Sequence, residues 1–138
     1  MDFMPWKEEY SVGVTLFDEQ HKKLIGFLNT LYDEVTAIEE SNVLSPTLAG
    51  LVEYTQKHFE DEEDNLKLHN FPELSHHINE HKKLTKTVTE FIEELKRGDS
   101  LITIQVVNFL IDWVVDHILD TDQKYSEFFQ GKEIIGTS

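Results

Sequence analysis

The stretch HFEDEE, His58 to Glu63, decides how this chain is read. His58 and Glu62 stand four residues apart, a distance over which a helix turns through about 400° and stacks both side chains on one face. Apolar or small residues recur ahead of the pair at Leu48, Leu51, Val52 and Thr55, and Leu66 follows, so that face is a core stripe. An imidazole and a carboxylate on such a stripe are costly to bury without partners. Either they satisfy one another as ordinary core residues or they hold a ligand, and the flanking chain decides between the two.

Working outward, Ser45 is a helix N-cap and Pro46 suits the first helical position, where its missing N–H is not needed; the helix that follows runs over about 46–68. Asn70, Phe71 and Pro72 break it. A third helix over about 72–97 carries Leu74, His77, Ile78, His81, Leu84, Val88, Phe91, Ile92 and Leu95 on one stripe and closes at Arg97 and Gly98. Before HFEDEE, a helix over about 18–40 aligns Phe17, His21, Leu24, Leu28, Leu31, Val35 and Ile38. The last helix, over about 100–129, is capped by Asp99 or Ser100. It aligns Ile102, Val106, Phe109 or Leu110, Trp113 and His117, and continues toward Phe128 before Gly131. Residues 1–17, with Pro5, Gly13 and scattered aromatics, form an irregular arm pinned by Trp6, Tyr10 and Phe17. Short loops between four helices predict an all-α, up-down-up-down antiparallel four-helix bundle, with residues 1–138 as a single domain.

Composition narrows the function classes. A net charge of −15, from 12 basic against 27 acidic residues, repels nucleic acid and anionic membrane. The acidic residues are spread along the chain, as solvated helix faces require. With no cysteine there is no disulfide, no thiolate zinc site and no iron–sulfur cluster, so any metal must be held by nitrogen and oxygen. The start, MDFMPWKEEY, lacks the features of a secretory leader and no run is long enough to span a membrane, which predicts a cytoplasmic protein.

The bundle topology brings the histidines together. At a rise of about 1.5 Å per residue, His21, His58, His77, His81 and His117 all fall in one layer, roughly 5 to 18 Å from the end where the first helix begins. Buried imidazoles on four helices, without basic partners nearby in sequence, point to a metal centre. His76 is turned about 100° from His77 and His69 lies at the break, so both are read as surface residues. Glu62 shares the face of His58. Asp120 and Asp122 both reach the layer on the last helix; ideal helical geometry leans to Asp120, and periodicity does not choose between them. Five imidazoles with one or two carboxylates exceed what one tetrahedral zinc uses and suit two metals with a bridging carboxylate, iron or manganese. The Glu-x-x-His spacing of carboxylate-rich di-iron bundles occurs only at Glu73 to His76, which is misplaced. Neutral imidazoles leave more positive charge on the metals than carboxylates would, which favours reversible binding of a small ligand over strong oxidation.

The order His21, HFEDE at 58–62, FPELSHHINEH at 71–81 and HILDTD at 117–122 resembles the hemerythrins, and the arm WKEEYSVGVTLFDEQH resembles their bacterial single-domain members. The resemblance implies one iron held by His77, His81 and His117, and a second by His21 and His58. Glu62 and Asp122 would bridge both irons together with an oxo or hydroxo group. It thereby selects Asp122 over Asp120. It further implies an open position on the two-histidine iron where O2 binds reversibly, with Phe17, Phe59, Trp113, Ile118 and Leu119 as candidate walls of a dry pocket.

The function expected on this basis is reversible O2 binding for carriage, storage or delivery, including local supply to an O2-using enzyme. The protein is expected to be a monomer and not itself an enzyme. The alternatives are an O2, redox or nitric oxide sensor module of a signalling protein, and a di-iron peroxidase or nitric oxide reductase. Iron storage is a further class with which the charge is compatible. No output domain or extra general acid or base is apparent in the sequence, which favours the binder.

Overall fold

A computed structural model describes residues 5–37, 46–98 and 104–136. Four helices, α1 (Thr15–Ala37), α2 (Pro46–Leu68), α3 (Leu74–Lys96) and α4 (Ile104–Asp116), form an up-down-up-down antiparallel bundle. α1 packs on α2 and α4, and α2 on α3. Among the described residues no helix is long and apolar enough to cross a membrane. The expected caps at Ser45, Asp99 and Ser100, and the stripe positions Ile38 and Ile102, lie outside the described residues.

α1 begins at Thr15, ahead of the expected start, because Asp18 reaches back from its first turn. Its carboxylate accepts from the Val12 N–H at 2.8 Å and the Ser11 hydroxyl at 2.6 Å, which locks the arm onto the helix. The arm itself makes a short 3₁₀ turn, Glu8–Tyr10, with Tyr10 buried and Trp6 edge-on against it. α2 stops where Asn70 takes a left-handed φ of 59°. The Asn70 N–H then bonds the Lys67 carbonyl and the Phe71 N–H the Leu66 carbonyl, and Phe71 joins Leu66 in the same apolar cluster. Gly98, at φ 80°, closes α3 in the same conformation.

The fourth helix departs from the expected continuous helix. After Asp116 the hydrogen-bonding pattern widens to a π turn, His117–Thr121, in which the Asp122 N–H bonds the His117 carbonyl; a 3₁₀ turn, Asp122–Tyr125, follows.

The apolar core comes in two parts. The larger holds Leu24, Leu28, Leu31, Leu48, Leu51, Leu95, Val107 and Leu110. The smaller, at the end where α1 begins, holds Val12, Val14, Phe17, Leu66, Phe71, Tyr125 and Phe129. Buried polar residues, His21, His58, Glu62, His77, His81, His117 and Asp122 among them, lie in the same interior. The C-terminal segment is strapped over the smaller part by fully buried Asn65. Its amide donates to the Ile135 carbonyl and its carbonyl accepts the Ile135 N–H, both at 2.8 Å. His69, expected at the surface, is half-buried and bonds the Glu133 carbonyl at 2.7 Å, so it belongs to the same strap. Asn65→Ala removes both strap bonds, together with the Asn65 bond to the Asp61 carbonyl, and should destabilise the fold by about 1–3 kcal/mol in urea unfolding. It should also release Lys132 to trypsin; equal cleavage rates in variant and wild type would refute the strap.

Candidate metal centre

Each helix contributes to the polar layer from a position its own periodicity dictates. His21 lies on the apolar stripe of α1, His58 and Glu62 sit at i and i+4 on α2, and His77 and His81 at i and i+4 on α3. All seven expected ligands are brought together: the five histidines are between 1% and 6% exposed, and Glu62 and Asp122 are 0% exposed. His76 stays on the surface, as expected.

Asp122 rather than Asp120 completes the layer, and the π turn is the reason. In an α-helix five residues turn the chain through about 500°, leaving His117 and Asp122 about 140° apart. Widening to i→i+5 bonding brings them onto one side. The His117 Nε2 then lies 3.1 Å from Asp122 Oδ1, while Asp120 points to solvent.

The carboxylates divide the layer in two. Glu62 Oε1 lies 3.0 Å from His77 Nε2 and 3.2 Å from His81 Nε2, while Glu62 Oε2 lies 3.1 Å from His58 Nε2 and 3.5 Å from His21 Nε2. Asp122 splits the same way, with Oδ1 toward His77 and His117 and Oδ2 toward His21. Two overlapping sets result, one of Glu62, His77, His81, His117 and Asp122 and one of His21, His58, Glu62 and Asp122. Within each set the candidate ligand atoms lie within 4.8 Å of one another.

Several of these atoms are aimed at each other without bonding. The Nε2 of His81 and of His117 and both oxygens of Asp122 are buried and make no aligned hydrogen bond, although N–O separations are near 3 Å. A neutral Nε2 lone pair facing a carboxylate is acceptor against acceptor, which is repulsive unless a proton or a cation lies between. All-nitrogen-and-oxygen donors in two sets, with two carboxylates common to both, fit a pair of bridged cations better than one.

Neighbouring side chains hold the ligands in place. Gln20 Oε1 accepts from His58 Nδ1 at 2.6 Å, Glu63 Oε2 from His81 Nδ1 at 2.7 Å, and Tyr125 donates its hydroxyl to Glu62 Oε2 at 2.6 Å. Sequence reasoning missed all three. Glu63 reads from the sequence as part of the solvated side or flank of its helix, Gln20 carries no signal of its own, and Tyr125 follows the change of helical phase. Aromatic faces close the layer: Phe59 stacks on His81 with ring centres 3.7 Å apart, and Trp113 stacks on His117 at 4.4 Å.

Without a metal, the layer's charges are balanced by protons. Burial works to lower the pKa of His21, but Asp122 and Glu62 outweigh it and push the imidazole up to about 9. Burial opposes His81 in the same way, and Glu62 with Glu63 carries it to about 9. For His58, burial wins over Glu62 and its pKa is lowered. Burial would raise Glu62, yet His58, His21 and His77 hold it well below the usual carboxylate range. Asp122 is lowered too, His117 and His21 overcoming burial and the repulsion of Glu62. Burial and the two carboxylates raise the Tyr125 phenol well above its ordinary value, so it stays a hydrogen-bond donor.

Two outcomes follow from these charges. Because the folded pKa of His21 and His81 exceeds the unfolded value of 6.5, their stabilisation is complete below pH 6.5 and lost as pH rises through about 9. The melting temperature of chelator-stripped protein should therefore fall between pH 7 and 9.5 while its metal uptake improves, since uptake must displace those protons. A stripped protein that melts higher at pH 9.5 would contradict this charge balance. Separately, Asp122→Ala should lose bound metal, whereas Asp120→Ala should keep it, as metal analysis of the purified variants will show.

The geometry agrees with the comparisons. The sequence model described as "Hemerythrin HHE cation binding domain" matches residues 12–129. The chain is 31% identical over 120 residues to the myohemerythrin of Theromyzon tessulatum, covering 87% of this chain and 88% of that one. It is 28% identical over 124 residues to the bacteriohemerythrin of Clostridium acetobutylicum, covering 87% of this chain and 96% of the relative. A wild-type hemerythrin crystal structure superposes with a TM-score of 0.85 at 25% identity, covering 91% of this chain and 96% of that one. A bundle of the same shape, a conforming layer of histidines and carboxylates, and a match over most of the chain place this protein in the hemerythrin family.

Proposed function

We propose that the chain binds O2 reversibly at a pair of non-haem irons, as a carrier, store or local supplier. The observation that carries this reading is the division of Glu62 and Asp122 between a three-histidine and a two-histidine set, opening onto an apolar cavity. His77, His81 and His117 would hold one iron, His21 and His58 the other, with Glu62 and Asp122 shared. When bound, the irons supply the reversible electron exchange with O2 that side chains cannot.

The protein's own contribution is to position and to keep dry. A pocket of about 50 Å³ touches His21, His58, His117 and Asp122, is lined beyond them by Leu24, Leu28, Leu51 and Val52, and reaches the exposed residues Gln56, Thr85 and Thr89. Its size suits a diatomic molecule, and its mostly aliphatic and aromatic walls disfavour ordered water. Of the expected walls, Phe59, Trp113 and Ile118 line it. Phe17 instead packs in the smaller core part, edge-on to His58, and Leu119 is 39% exposed on the outer surface. Two hydroxyls at the wall are already engaged: Thr55 donates to the Leu51 carbonyl and Thr85 to the His81 carbonyl. The wall is otherwise mostly aliphatic and aromatic and, among the described residues, carries no general acid or base beyond the ligands, which supports a binder over a peroxidase or nitric oxide reductase.

The test is optical. Anaerobically reduced protein carrying two irons per chain should become coloured on exposure to air and bleach again under vacuum. Many turnovers of peroxide or nitric oxide without a stable adduct, or one metal per chain, would overturn the reading.

A further inference from the structure

We infer that Gln20 and Glu63 are positioning residues that make the two metal positions unequal, Glu63 strengthening His81 at the three-histidine position and Gln20 leaving His58 the weaker donor. The inference rests on the two-metal reading above. Each of these imidazoles turns Nε2 toward Glu62 and Nδ1 outward, His81 to Glu63 at 2.7 Å and His58 to Gln20 at 2.6 Å. A carboxylate oxygen and an amide oxygen can only accept, so both contacts require the proton on Nδ1 and leave the Nε2 lone pair for a cation. The amide of Gln20 is itself oriented. Its Nε2 donates to Asp61 Oδ2 at 2.7 Å, an atom that also takes Lys57 at 3.0 Å, so Oε1 must face His58.

The two outer partners differ in charge. Hydrogen bonds to an ionised acceptor are roughly twice as strong as neutral ones, so Glu63 leaves more electron density on the His81 ring than Gln20 leaves on His58. Their burial follows the same division. Glu63 is 29% exposed and its charge stays solvated, whereas Gln20 is fully buried beside Asp61, where a second carboxylate would be costly. A denser ring favours the more highly charged metal, so the three-histidine position should bind more tightly and hold the lower reduction potential.

The test titrates metal-free wild type, Glu63→Gln, Glu63→Asp and Gln20→Glu with Co(II), whose visible bands report each binding step. Melting temperatures are measured alongside, and reduction potentials on the iron-loaded forms. Glu63→Gln should weaken one step by about 10–100-fold and leave the other within about threefold. It should also raise the potential by about 59 mV for each tenfold preferential loss of the oxidised metal. Glu63→Asp should restore most of both, and Gln20→Glu should tighten the other step while lowering the metal-free melting temperature, since its carboxylate is buried beside Asp61. Unchanged constants in Glu63→Gln, or both steps weakening together with the melting temperature at an unmoved potential, would overturn the inference alone. A wild type that takes up fewer than two Co(II) per chain would overturn it together with the two-metal reading.

Discussion

Two carboxylates, Glu62 and Asp122, are fully removed from water among five imidazoles, and the rest of the molecule is arranged around that fact. Burying such charges is tolerable only when they are paired and hydrogen-bonded on every side. Four helices are needed to deliver the partners, because one helix face can present only two residues at the same level. The bundle thus encloses a polar layer that no single element could satisfy, and its helices are tied together through the middle by electrostatics as well as by apolar packing.

The contacts behind the layer explain why its geometry holds without crowding. Gln20 and Glu63 each engage the outer nitrogen of a layer histidine, while Tyr125 fixes Glu62 through Oε2, the oxygen that also faces His58 and His21. Phe59 and Trp113 stack on His81 and His117, which limits ring rotation and keeps solvent away. Rigid, desolvated and internally unsatisfied, the layer is preorganised for cations.

Much of this was legible in the sequence because two periodicities agreed. The 3.6-residue period put His21, His58, His77 and His81 on apolar stripes, and antiparallel alternation put them at one height. Asp122 was not legible in the same way. The segment HILDT carries no glycine or proline to announce a change of helical phase, so ideal geometry leaned to Asp120 until the family resemblance selected its neighbour. The same hidden change took Leu119 out of the pocket and brought Tyr125 onto Glu62. Gln20 and Glu63 were invisible for another reason. Each acts on a histidine of a different helix, so neither contact leaves a mark within its own helical repeat.

The division of the apolar core into two parts has a bearing on how the molecule comes apart. Val12, Phe17, Leu66, Tyr125 and Phe129 form one cluster and Leu28, Leu31, Leu48, Leu95 and Leu110 the other. Hydrophobic packing within each is continuous, so each can open as a unit with its own free energy. Cations in the layer would weld the two units into one cooperative transition. Stripped of them, the strapped C-terminal segment should exchange its amide protons well before the larger cluster, which also holds the arm through Tyr10, so that hydrogen exchange resolves two foldons where the loaded chain shows one.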